Sequence, residues 1–228
     1  MQKESFDIIY SLGFNCDCAL FLKKYHLRSC SGPFDWVGVS TFQERINLIL
    51  NDFQDFLDYH KLERISPSDG FKDAYQNIKT NMSFRHDFDP AKDLSKSFAG
   101  VKRKYEKRIN RFYQNIAKSE NILFVYMAMQ EFLDTKLLKD THKALEEKLN
   151  KSISFTVIQQ DHSINRGEIF LEELSPKLKV YHLDYYNSVE IIDLSAKKLL
   201  KEIFTSYECK TSYKGAFKNW FLNRKAKT

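Results

Sequence analysis

A chain of 228 residues with 43% hydrophobic, 29% charged and 14% aromatic residues is sized for one globular domain, and its rings can fill a core. Only 7 Gly and 4 Pro argue against an all-β protein built on tight turns. A net charge of +6 suits an anionic substrate or partner without demanding one, and no nucleic-acid motif accompanies it, so no nucleic-acid partner is expected.

The opening "MQKESFDIIY" lacks the apolar core and small-residue cleavage site of a secretory leader. No apolar run approaches the roughly 18 residues of a membrane span. A cytoplasmic protein without an integral membrane segment is expected, with Cys16, Cys18, Cys30 and Cys209 as reduced thiols. Residues 6–12, "FDIIYSL", read as a buried strand stopped by Gly13. "CDCALFLKKYHL" reads as an amphipathic helix, and "RSCSGPFDW" as a turn-rich loop. A helix follows at 40–51, with Ser40 or Thr41 as N-cap and Glu44 in capping-box spacing from Thr41. Residues 52–100 are the least regular part, and short helices and functional loops are expected there rather than a packed sheet. Regularity returns with a helix at 101–118, striped by Val101, Tyr105, Ile109, Phe112 and Ile116. Strands are predicted at 121–129, 152–160 and 178–186, and helices at 134–149 and 195–207.

Strands alternating with helices, and strands apolar throughout, predict an α/β three-layer sandwich with a mainly parallel central sheet. A single domain over 1–228 is expected, with 52–100 as an irregular insertion or lid over the carboxyl edge of the strands. Ligands of open α/β sheets bind at that edge, and "GFNCDC" lies on it. Gly13 permits a tight turn or a close backbone approach to a ligand. Cys16 then falls in the first turn of a helix, where free amides and the helix dipole favour a thiolate and can hold an oxyanion. Asn15 either caps the helix or donates to that oxyanion. Against this, a free cysteine is often a small apolar filler, and Cys18 reads that way. The Cys spacing fits no common zinc pattern, so no metal is expected, and no cofactor is implied.

A cysteine nucleophile needs a base and the base an orienter. His26, His60 and His142 sit in charged, helix-like stretches and read as solvated. His182, in "KVYHLDYY", reads as a hydrogen-bonded strand residue. His86 in "SFRHDFDP" and His162 in "QQDHSINRG" are the candidates, beside Asp87 and Asp161 respectively. In "GPFDW", Phe34 and Trp36 anchor the loop by burial, and Asp35 is either a carboxylate aimed at a site or a loop cap.

The segment "SLGFNCDCALFLKKYHLRSCSGPFDWV", 11–37, resembles the opening signature of a bacterial family labelled papain-like cysteine peptidase, a domain of unknown function. Ser11, Leu12, Gly13, Asn15, Cys16, Leu27, Arg28, Pro33, Phe34, Asp35 and Trp36 match that signature. "FRHDF" at 84–88 matches the family's aromatic-His-Asp stretch, and the basic helix and strand at 103–125 match further on. The resemblance implies a pair of Cys16 and His86. A nucleophile just after the first strand is also similar to SGNH-type esterases, whose late histidine favours His162 or His182. A further similarity, to a capsule-biosynthesis family with a Gly-Asn-Cys opening, implies glycan-linked acyl chemistry.

Three readings follow. In the first, Cys16 attacks an acyl carbon, His86 carries the proton, Asp35 or Asp87 orients the imidazole, and Gly13, Asn15, Trp36, Asp161 and His162 line the substrate or oxyanion site of a hydrolase or acyl transferase. In the second, a transferase of surface-polysaccharide assembly binds a nucleotide-sugar or acyl-CoA donor through Gly13, Asn15 and the helix amides, helped by Arg103, Arg108 and Arg111. In the third, the chain is a non-catalytic binding module.

Overall fold

The computed structural model describes residues 3–66, 74–89, 92–186, 192 and 194–212. A short strand β1 (Glu4–Phe6) precedes β2 (Ile8–Gly13), which feeds helix α1 (Cys16–Lys24). After the loop comes α2 (Phe42–Leu50), then β3 (Leu62–Ile65), β4 (Ala74–Asn77) and β5 (Met82–Ser83). The second half alternates: α3 (Leu94–Lys118), β6 (Ile122–Ala128), α4 (Thr135–Leu149), β7 (Ile153–Gln160), β8 (Phe170–Ser175), β9 (Leu178–Leu183), α5 (Leu194–Thr205) and β10 (Tyr207–Cys209).

The central sheet has the order β2-β6-β7-β9-β8. Its first four strands are parallel, and β8 runs antiparallel to β9 at the edge. All seven residues of β6 are buried, as expected of a parallel strand covered on both faces. Side chains alternate between two apolar clusters. Ile8, Tyr10, Leu12, Phe124, Tyr126, Phe155 and Val157 pack with α2, α3 and α4. Ile9, Leu123, Val125, Met127 and Ile158 pack with Phe21 and Leu22 of α1 and Leu200, Ile203 and Phe204 of α5. Phe21 stacks on Phe204 with ring centroids 5.4 Å apart, joining the two helices. The mixed α/β class expected from the alternation is thus present.

The 52–100 stretch differs from its expectation. Its described residues include a three-stranded antiparallel sheet, β3-β4-β5. They also place Phe53, Phe56, Met82, Phe84 and Phe88 in the core. The strands are four, four and two residues long, too short to show a period. Pairing across the chain and ring-on-ring burial hold them, such as Phe56 against Phe84 and Tyr105. The helix predicted from 101 begins at Leu94, capped by Asp93, whose side chain accepts from the Ser95 amide. The reading of His142 as solvated is also corrected. Its Nε2 lies 2.7 Å from the Ile153 carbonyl oxygen, and its ring stands edge-on to Phe155.

Candidate functional site

β2 ends in Gly13, and the chain turns through Phe14 and Asn15 into α1. Asn15 is the N-cap: its side-chain oxygen accepts from the Asp17 amide at 2.8 Å. Its Nδ2 donates to Asp17 Oδ2 at 3.0 Å and to the Tyr186 hydroxyl at 3.5 Å. The capping alternative for Asn15 is therefore the one observed. Cys16 takes the first helical position and is half-buried. Burial first, and then the neighbouring Asp17 carboxylate, raise its thiol above the ordinary value. The dipole-stabilised thiolate expected from the sequence is outweighed, and the resting group is the neutral thiol. Cys18 is fully buried with its Sγ 3.5 Å from the Val125 carbonyl, a filler as read.

A cleft of about 640 Å³ opens beside Cys16. Phe14, Asn15 and Cys16 form one wall, and Trp36, Val37, Gly38 and Val39 another. Arg85, His86 and Gln130 complete it. The 36–39 and 83–86 segments are joined by a paired bridge. Gly38 N donates to Ser83 O at 3.0 Å and Ser83 N to Gly38 O at 2.9 Å. That bridge brings Trp36 and His86 edge to face, 5.9 Å between centroids. His86 is exposed to solvent. Among the described residues no hydrogen bond joins Cys16 Sγ to any imidazole; Cys16 and His86 share a void rather than a contact.

The other predicted residues lie behind or away from this cleft. Asp35 is 1% exposed, and its Oδ2 accepts from Arg28 Nη1 at 2.8 Å and from the Gly32 amide at 3.1 Å. Burial outweighs Arg28 and lifts its carboxyl to about 6. Arg28 in turn lies over the Trp36 ring at 5.7 Å, so Asp35 reaches the cleft through a guanidinium and an indole. Asp87 accepts from the Tyr105 hydroxyl at 2.6 Å and pairs with Lys104, which clamps its segment to α3. Asp161 and His162 follow β7 and do not line the cleft. His162 Nδ1 is 3.1 Å from Asp184, and Asp161 lies 3.4 Å from Nδ1 of His182. His182 is buried and also 3.3 Å from Glu172, the hydrogen-bonded strand residue expected.

Gly13 has φ +88° and does need to be glycine, but the close approach is internal. A Cβ there would sit 2.3 Å from Nη1 of Arg45. Arg45 is fully buried and donates from Nη1 to Leu12 O and from Nη2 to Phe14 O, both at 2.7 Å, and from Nε to Ser40 O at 3.1 Å. It also reaches Val37 O at 3.5 Å. One guanidinium thus ties the end of β2 to the 37–40 segment, the two walls of the cleft. Sequence reasoning missed Arg45, Arg85 and Gln130. A signal for Arg45 existed: it sits among Phe42, Ile46 and Ile49 on the apolar face of α2, where a cation has no business without buried acceptors.

Residues 7–163 match a family model described as "Putative papain-like cysteine peptidase (DUF1796)". The chain belongs to this family. The matched span includes every wall of the cleft, from Phe14 to Gln130. An uncharacterised protein of Acanthamoeba polyphaga mimivirus is 27% identical to this member of the family over 208 residues, spanning 81% of this chain and 87% of its own length. No solved structure matches. Among the described residues, no helix is long and apolar enough to cross a membrane, and no three His, Cys, Asp or Glu side chains gather as metal ligands would.

Proposed function

We propose that this protein is a thiol-dependent hydrolase or acyl transferase working in the Cys16 cleft, with Cys16 as nucleophile and His86 as general base. The observation that carries the reading is the shared void: a thiol on the first turn of α1 and an imidazole on the facing segment border the same 640 Å³. A thiol held neutral needs a base in the attack itself. As sulfur bonds to the acyl carbon, its proton passes to His86. Collapse expels the alcohol or amine, which takes that proton. Water or another acyl acceptor then attacks the thioester, and its proton returns the sulfur to the thiol through His86.

The Cys16 and Cys18 backbone amides of the first turn of α1 suit the oxyanion, because the Asn15 cap takes the Asp17 amide and Asn15 spends its own side-chain amide on Asp17 and Tyr186. Trp36 offers an apolar wall to the acyl group. Asp35 acts at one remove by holding Arg28 beneath Trp36, and Asp87 by fixing the segment that carries His86. The parallel order β2-β6-β7-β9, with helices contributing to apolar clusters on either face, supports a Rossmann- or SGNH-like three-layer reading of one domain, with the site at the carboxyl ends of β2 and β6. Residence in a reducing cytoplasm fits four free thiols and belongs to the same proposal.

Turnover of activated acyl esters and thioesters tests it. Cys16→Ala is expected to abolish turnover with the melting temperature within about 2 °C, since a half-buried sulfur contributes little packing. His86→Asn should lower turnover about 100-fold or more. Iodoacetamide labelling of Cys16 should be slow at pH 7 and keep accelerating above pH ~8.5, the ordinary thiol range. Equal turnover by wild type and Cys16→Ala overturns the assignment.

A further inference from the structure

A second concave site lies on α3, with no wall residue in common with the Cys16 cleft. It is a shallow, open depression of about 450 Å³ lined by Ser31, Gly100, Arg103, Lys104, Lys107, Arg108 and Arg111. Five of these seven residues are cations on one face of a single helix. Arg103, Lys107 and Arg111 follow one another at i,i+4 spacing, as do Lys104 and Arg108, so like charges stand one turn apart and repel. Internal acids relieve only part of this, Asp35 acting electrostatically on Arg108. Lys104 pairs with Asp87, and Arg111 donates to the Ser31 carbonyl, a neutral acceptor. Arg103 and Lys107 are exposed and have no carboxylate within ion-pair distance among the described residues. Arg108 lies over the Tyr105 ring, and its Nη1 is shut away from solvent with no acceptor among the described residues. A buried donor left unmade is costly, and a charged one more so.

Gly100 points the same way. A Cβ at this position would meet no atom within 4 Å, so packing does not require a glycine there. Glycine inside a helix destabilises it relative to alanine. What it leaves is open room and bare backbone at the side of the cleft.

We infer that this cleft binds the diphosphate group of a small molecule. Arginine forks match phosphate oxygens two at a time, and several uncompensated cations need more than a single carboxylate to balance them. The cations line a shallow, open depression on one helix face bordered by Ser31, and from Arg103 to Arg111 they span only about 12 Å, short for the run of phosphates a nucleic-acid backbone presents. The assignment is independent of the thiol chemistry.

Isothermal titration of the full chain at low salt with pyrophosphate, ADP and inorganic phosphate tests it. Saturable 1:1 binding of pyrophosphate or ADP is expected, tighter than phosphate and weakening as salt rises. ADP binding well above pyrophosphate upholds the site with a nucleoside diphosphate as ligand; equal affinities uphold it with the bare diphosphate as the recognised group. The double variant Arg103→Gln/Lys107→Gln should bind about 10-fold or more weakly. Its melting temperature should stay within about 2 °C, because neither side chain has a partner among the described residues. The inference fails if neither diphosphate binds saturably, if the double variant binds like wild type, or if a single-stranded oligonucleotide binds tighter than ADP and displaces it.

Discussion

Arg45 and Gly13 are one device at the scale of single residues. The guanidinium is buried against the carbonyls of Leu12, Phe14 and Ser40, and the missing Cβ of Gly13 makes its room. Gly13→Ala forces a choice between a clash and the loss of those bonds, at a φ that alanine resists. A loss of about 3 kcal/mol or more is expected in denaturant unfolding, from stranded buried polar groups and backbone strain. A loss under 1 kcal/mol would show that Arg45 moves aside freely. Asp35 carries a pH signature. Its carboxyl is raised from 3.8 to about 6, burial exceeding what Arg28 returns. Between those values the folded chain holds a proton that the unfolded chain has released. The contribution of this group to stability is therefore full below about pH 4 and lost as pH rises through 6. Asp35→Asn cannot ionise and lacks that decline. The melting temperature of the variant minus that of wild type should climb between pH 4 and 7; a fall over that range would mean Arg28 outweighs burial.

Among the elements, α1 depends most on its first residues. Asn15 caps it, Asp17 faces the positive end of its dipole, and Lys23 and Lys24 face the negative end. Asn15→Ala removes the bond to the Asp17 amide and should cost about 1 kcal/mol by thermal denaturation, with α1 fraying first in hydrogen exchange. Unchanged stability would show the cap to be replaced by water. This start was legible because a cap is local chemistry, and so was the capping box of α2, where Thr41 and Glu44 are bonded as their spacing predicts. β8 was not legible. It is an edge strand with Phe170 and Leu171 exposed, so it shows neither a buried run nor a clean alternation. Only pairing to β9 makes it a strand.

In the molecule as a whole, long buried strands and striped helices were readable in the chain, and with them the mixed α/β class. Phe14, Asn15 and Cys16 of "SLGFNC" and Trp36 of "PFDW" line the cleft. Hydrophobic period and capping act between near neighbours, so they survive in the sequence alone. Which groups meet is another matter. That Asp35 faces Arg28 rather than His86, that Asp87 faces Tyr105, and that Trp36 and His86 come together across the Gly38–Ser83 bridge depend on contacts between distant segments. The state of Cys16 belongs to the same class. Its place at a helix start is local and argues for a thiolate, but burial and Asp17 reverse the sign. Desolvation is a property of everything packed around a group, and only the folded chain sets it.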